Sequence, residues 1–162
     1  MLLQRINRTD PEQVFIIVKN TYGTATLTNG QPVSWDYTTD ADGIGVTLPV
    51  AAESGFQTAG IIAESIAAAA YGLCQVYGYH SAAIVRTMTA TGSIWFEQLE
   101  AVAVGTMLVC GQTAAFCLEG ITKGTSSASA VVPLRLYPCA FALAAQASYT
   151  TKAIAVFIKG CL

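Results

Sequence analysis

His80 is the single histidine of a 162-residue chain, so any Ser-His-Asp or Cys-His arrangement would have to use it, and a cluster of histidine ligands cannot form. It follows Tyr79 beside a predicted turn, where an imidazole is ordinarily hydrogen-bonded or facing solvent, and the sequence assigns it no general-base role. The carboxylates Asp36, Asp40 and Asp42 precede Gly43 in DYTTDADGIG, but the closing glutamate of a calcium loop is missing, so a polar turn is expected. Glu97 with Glu100, or Asp40 with Asp42, have the spacing of an acid and base pair, yet both pairs lie in polar stretches that read as solvated faces. Five cysteines (Cys74, Cys110, Cys117, Cys139, Cys161) form no CxxC pair and read as buried thiols behaving as small apolar side chains. No catalytic residue, metal ligand or cofactor site is therefore assigned, and the chain is not expected to be an enzyme.

Composition points to contact instead of catalysis. Hydrophobic residues make up 53% of the chain and charged residues only 11%, against about 25% in an average soluble domain, and the mean hydropathy is +0.50. A surface this poor in charge is either neutral polar or covered by other protein. The charges are also segregated: residues 1–19 carry +1, residues 20–119 carry −7, and residues 120–162 carry +4 through Lys123, Arg135, Lys152 and Lys159. Such polarity reads either as two solvated faces or as a device that registers contacts between copies of one chain or with a partner of complementary sign. With a net charge of −2 and no Lys/Arg cluster, direct binding to nucleic acid is not expected.

The elements that carry these residues read as strands. VFIIVK (14–19) and KAIAVFIK (152–159) are β-branched and aromatic runs near the two ends, expected to belong to one sheet. LTNGQPVSWDY contains Asn29-Gly30, a pair that tolerates positive φ and so marks a hairpin or turn. IIAESIAAAAYG has helical propensity but is short and runs into an alternating segment, which favours one helical turn or a wide bend. GTSSAS (124–129) reads as an exposed loop.

In YGLCQVYGYHSAAIV, Leu73, Gln75 and Tyr77 face one way and Cys74 and Val76 the other, a ribbon that buries one side and offers the second. Gly72 and Gly78 frame this strand without the GxGxxG packing or Walker lysine of a nucleotide loop. The same Gly-x5-Gly spacing recurs at Gly105 and Gly111, with Val76 and Ala82 echoed by Val109 and Ala115. Residues 65–85 and 101–118 are long enough for a membrane span. Their glycines, Gln75, His80 and Gln112, together with the strand alternation, argue against one. MLLQRINRTDPEQ lacks the apolar core of a secretory signal, so synthesis in a reducing cytoplasm is expected.

The stretch over residues 46–86, with Pro49-Val50, then Ala59-Gly60-Ile61, then the YGxxQVxG strand from Tyr71 to Gly78, resembles the head decoration or capsid cement proteins of tailed phages. The resemblance implies a small, mainly β structural protein on the outer capsid surface of the virion, often a homotrimer, that ties neighbouring major capsid subunits together. The alternatives carried beside it are a tail or baseplate component and a small β-barrel ligand-binding protein.

The expected fold is mainly β: a compact β-sandwich or β-barrel-like domain with at most one or two short helices and extended terminal arms. An N-terminal arm and hairpin (1–40) would precede a β-rich domain (41–162) around one globular core. The expected contact residues are Phe15, Ile17, Trp35, Tyr77, Tyr79, Trp95, Phe96, Arg135, Lys152 and Lys159, with a core position the other reading of Trp35, Trp95 and Phe96.

Overall fold

A computed structural model describes residues 12–40, 43–49, 58–87, 97–98, 101–110, 117–122, 138–147 and 150–159. Among these residues ten strands occur and no helix: β1 (Gln13–Asn20), β2 (Pro32–Trp35), β3 (Gly45–Thr47), β4 (Thr58–Ile62), β5 (Tyr71–Arg86), β6 (Glu97–Gln98), β7 (Met107–Cys110), β8 (Leu118–Thr122), β9 (Ala140–Ala142) and β10 (Thr151–Ile158). The fold is mainly β, and strand closure makes it barrel-like. The alanine-rich segment after β4 is a wide bend into β5 and not a helical turn. Its residues already have sheet partners on both sides, which outweighs the small preference of alanine for helix.

Strands β1, β3, β2, β4 and β5 pair in that order, and β5 returns to β1, so the ladder closes on itself. A second circuit runs β5, β8, β7, β9, β10 and back to β5. Closure pairs backbone donors and acceptors around each ring, while the side of β1 away from β5 has no strand partner before Lys19 among the described residues. Each ring encloses its own apolar cluster. Val18, Leu27, Val33, Val46, Ile62 and Cys74 fill the first; Val85, Leu108, Leu118, Ala140, Val156 and Ile158 fill the second. Alternation along each strand produces this sorting: Val33 and Ile62 point inward, while Pro32 and Ile61 point out of the first ring.

The 16-residue β5 belongs to both rings. Its first half pairs with β1 from Tyr71 to Gly78, and its second half pairs with β10 from Gly78 to Arg86. Gly78 stands opposite Gln13 on one side and Ile158 on the other, with φ at +97°. A Cβ there would run into the carbonyl oxygen of Glu12, so only glycine fits the change of partner. Side-chain amides supply donors at the same place: Gln13 Nε2 and Gln75 Nε2 donate to the Tyr79 carbonyl at 2.6 and 2.9 Å. The glycines at 72 and 78 thus do not bound a five-residue strand, as their spacing suggests; β5 continues through both.

The second ring repeats the first. Each has four antiparallel pairings and one parallel closure, β1 with β3 and β5 with β8. An isolated bridge sits ahead of the strands in both, Leu27 with Ile66 and Val102 with Gln146. In every case the next strand starts five positions later, at Pro32, Tyr71, Met107 and Thr151. Between bridge and strand the chain turns through positive φ at Gly30, Ala69 and Gly105. The pairings Pro32 with Ile61 and Val33 with Gly60 reappear as Met107 with Phe141 and Leu108 with Ala140. Thus Gly105 corresponds to Gly30, and not to Gly72 as the glycine spacing suggests. The boundary expected at residue 40 falls inside the first ring, because β1 and β2 are two of its five strands.

Candidate interaction surface

His80 and Asp36 take part in the hydrogen bonding of the fold. His80 is buried, and its Nδ1 accepts the Ala82 backbone N–H at 3.2 Å. Burial lowers its pKa below 6.5, with a hydrogen bond to the Ile62 backbone working the other way. A neutral ring held by main chain in this way is a structural group. Asp36 is also buried, which by itself would raise its pKa. Hydrogen bonds outweigh that cost: Thr21 Oγ1 at 2.7 Å, Thr39 N at 3.0 Å, and Thr38 Oγ1 and N at 2.9 and 3.2 Å hold the carboxyl at about 2. Asp36 therefore organises the turn over residues 36–40 that the sequence predicts. Asp42 and Glu100 lie outside the described residues, as does Cys161. Cys74, Cys110, Cys117 and Cys139 are buried thiols, and Cys139 Sγ–H donates to the Leu108 carbonyl at 3.5 Å.

Between the rings a polar cleft of about 200 Å³ is lined by Gln13, Asn29, Gln75, His80 and Ser81 with Phe15 at its side. The Gln13 and Gln75 amides there already donate to main-chain carbonyls. Among the described residues no group of His, Cys, Asp and Glu could hold a metal ion. No helix among them is long and apolar enough to cross a membrane, and the segment 65–85 is the bend and β5.

The outer faces of the strands are where apolar side chains gather. Ladder partners place Met107, Phe141, Phe157 and Tyr79 in one row across β7, β9, β10 and β5. Their neighbours Leu108, Ala140, Val156 and His80 turn inward and are buried, so alternation forces this row outward. Tyr77 adjoins it, its ring meeting Phe157 edge to face at 5.4 Å between centroids and 80° between planes. An edge-to-face pair adds roughly 0.5–1.5 kcal/mol beyond area burial. On the β1 side, exposed Phe15 and Ile17 stand opposite Gln75 and Leu73.

Of the expected contact residues, Phe15, Ile17, Tyr77 and Tyr79 come together on this outer face. Trp35 does not; it is half-buried against the core of the first ring. Trp95, Phe96 and Arg135 lie outside the described residues. Lys152 and Lys159 are exposed at opposite ends of β10, roughly 20 Å of strand apart. The sequence reading missed Met107, Phe141 and Phe157. The signal was available for Phe157, alternating with Val156 and Ile158, but Met107 and Phe141 sit in strands of four and three residues, too short for periodicity to show.

No protein-family profile matches the sequence, and no curated protein does. Among solved structures, the head fiber gp8.5 N base in bacteriophage phi29 superposes with a TM-score of 0.43 at 10% identity, covering 93% of this chain and 98% of that one.

Proposed function

We propose that the protein is a non-enzymatic structural component of a tailed-phage virion, a decoration or cement protein that binds the outside of the head and bridges neighbouring major capsid subunits as a homotrimer. The observation that carries this reading is the apolar row from Met107 to Tyr79 on the outer sheet face, extended by Tyr77. Aromatic and methionine side chains ringed by little charge have the composition of a contact core. The sparse charge of the whole chain agrees, as does the phage-decoration resemblance of residues 46–86. Many modest contacts repeated over a shell give strength through multivalency.

The test is sedimentation of purified protein with emptied heads and, separately, with tails, followed by electron microscopy of the pelleted particles. Regular density on the outside of heads is the expected result. Protein that stays in the supernatant with heads, or that decorates tails alone, overturns the proposal.

A further inference from the structure

Because the second ring repeats the first, every position in the seam between the rings has a counterpart elsewhere in the chain. In the first ring, the Asn29-Gly30 turn and the outward residues Pro32 and Ile61 form that seam. The Ile84 N–H donates to the Gly30 carbonyl at 2.9 Å, and a Cβ at Gly30 would strike the Ala82 carbonyl. Ile61 is 1% exposed and lies among the buried residues of the second ring. Its partner surface is thus the β5 edge from Ala82 to Ile84.

Among the described residues the counterparts make no such contact. Asn29, Gly30, Pro32 and Ala63 correspond to Val104, Gly105, Met107 and Leu143. Val104 is 67%, Met107 43% and Leu143 42% exposed, and a Cβ at Gly105 would meet no described atom within 4 Å. On the other side of the seam, Arg86 stands opposite Thr151 as Lys19 stands opposite Tyr71, so Ile84 and Ala82 correspond to Ile17 and Phe15. Ile17 is 68% and Phe15 41% exposed. Lys19 N–H donates to Ile44 O on the side of β1 away from β5. Ile17 N–H, two residues earlier in the same strand, points to that side too. Among the described residues no strand pairs there before Lys19. At four of these five exposed positions the seam residue is polar or smaller than its apolar counterpart, as Asn29 is beside Val104 and Ala82 beside Phe15, while Ile84 and Ile17 are the same residue.

We propose that copies of this chain join head to tail, the Val104-Gly105 turn with Met107 and Leu143 of one copy seating on Phe15 and Ile17 of the next. The Ile17 N–H donates to the Gly105 carbonyl, reproducing between molecules the seam that joins the rings within one. The occupant is a second copy because the surface that fits such a turn is already displayed, in repeat form, on the chain itself. The contact uses two different faces, so it is heterologous and builds a closed ring or an open chain of subunits. It is read from the repeat and needs no phage head, and it takes up Met107, one end of the outer row, leaving Phe157, Tyr79 and Tyr77 for the proposed head contact.

The experiment measures mass in solution for the full chain, for Ile17→Lys, for Val104→Asp, and for an equimolar mixture of the two variants. Circular dichroism confirms that each variant keeps the β fold. The wild type is expected as an oligomer at micromolar concentration. Each variant alone should associate roughly ten to a hundred times more weakly, the effect of placing a charge where an apolar side chain is buried. The mixture should recover a one-to-one dimer, because Ile17→Lys keeps an intact turn and Val104→Asp keeps an intact β1 face. A wild type that stays monomeric into the millimolar range overturns the proposal, as do variants that assemble normally or a mixture that yields no dimer. If Ile17→Lys does not fold, Phe15→Ser takes its place in the same scheme.

Discussion

The backbone N–H of Ile84 donates to the carbonyl of Gly30 across 2.9 Å, tying the first turn of one ring to the strand edge of the other. The Ala82 carbonyl fills the space where a Gly30 side chain would sit, and Gly30 has φ at +87°. Gly105 has nearly the same φ, +86°, with no described atom near its Cβ position. Gly105→Ala should therefore cost only the left-handed strain of about 1–2 kcal/mol, and Gly30→Ala that plus roughly 1–3 kcal/mol for the displaced seam. Urea unfolding of both variants, at concentrations too low for association, checks the difference. Equal losses would show that the seam is loose.

Gly78 carries a heavier constraint, because β1 and β10 flank it on opposite sides. Gly78→Ala should lose about 2–4 kcal/mol from the combined strain of φ at +97° and the collision with Glu12 O. A midpoint in urea within a few tenths of the wild-type value would remove the assigned role of this residue as the hand-over point.

The shared strand should also make the rings unfold together. Leu108 is fully buried in the second ring, and Leu108→Ala should cost about 2–5 kcal/mol. Trp35 packs against the core of the first ring. In a Trp95→Phe background, which leaves Trp35 as the one indole, its fluorescence transition should shift by the same amount as the circular dichroism. A Trp35 transition untouched by Leu108→Ala would mean that the rings are energetically separate.

Two groups give stability a pH dependence of the same sign. His80 has its pKa lowered in the folded protein, so the unfolded chain binds the proton more readily once the pH falls below about 6.5, and stability declines from there. Asp36 is held at about 2 against an ordinary 3.8, so its contribution is complete above 3.8 and is lost as the pH falls toward 2. The size of that contribution is about 2 kcal/mol. Thermal unfolding between pH 7 and pH 2 should show both declines. His80→Gln should abolish the upper one and Asp36→Asn the lower.

The outer row should matter for contact more than for folding. Phe157→Ser removes the edge-to-face partner of Tyr77 and is expected to cost about 1–3 kcal/mol of stability. Head binding in the sedimentation assay should fall at least tenfold. Unchanged binding by a folded Phe157→Ser protein would move the contact surface elsewhere.

The sequence by itself determined the local choices. β-Branched and aromatic content in VFIIVK and KAIAVFIK, and alternation in YGLCQVYGYHSAAIV, specified strands, and alternation separated the two faces of the last because side chains of an extended chain point to opposite sides. Asn29-Gly30 specified a turn, since positive φ costs glycine nothing. Phe15, Ile17 and Tyr77, expected from the sequence as contact residues, are exposed in the fold. Tertiary structure decided what those rules do not encode. The rings correspond through ladder register and φ, and Ile66 and Gln146 share a position without sharing a chemistry, so residue identity carries little of the repeat. The half-burial of Trp35 and the outward row of Met107, Phe141 and Phe157 follow from which strands become neighbours. That choice is made by pairings between residues distant in the chain, as between Gln13 and Gly78 or Gly78 and Ile158. Such contacts depend on the closure of the whole ladder and leave no periodic trace along the chain.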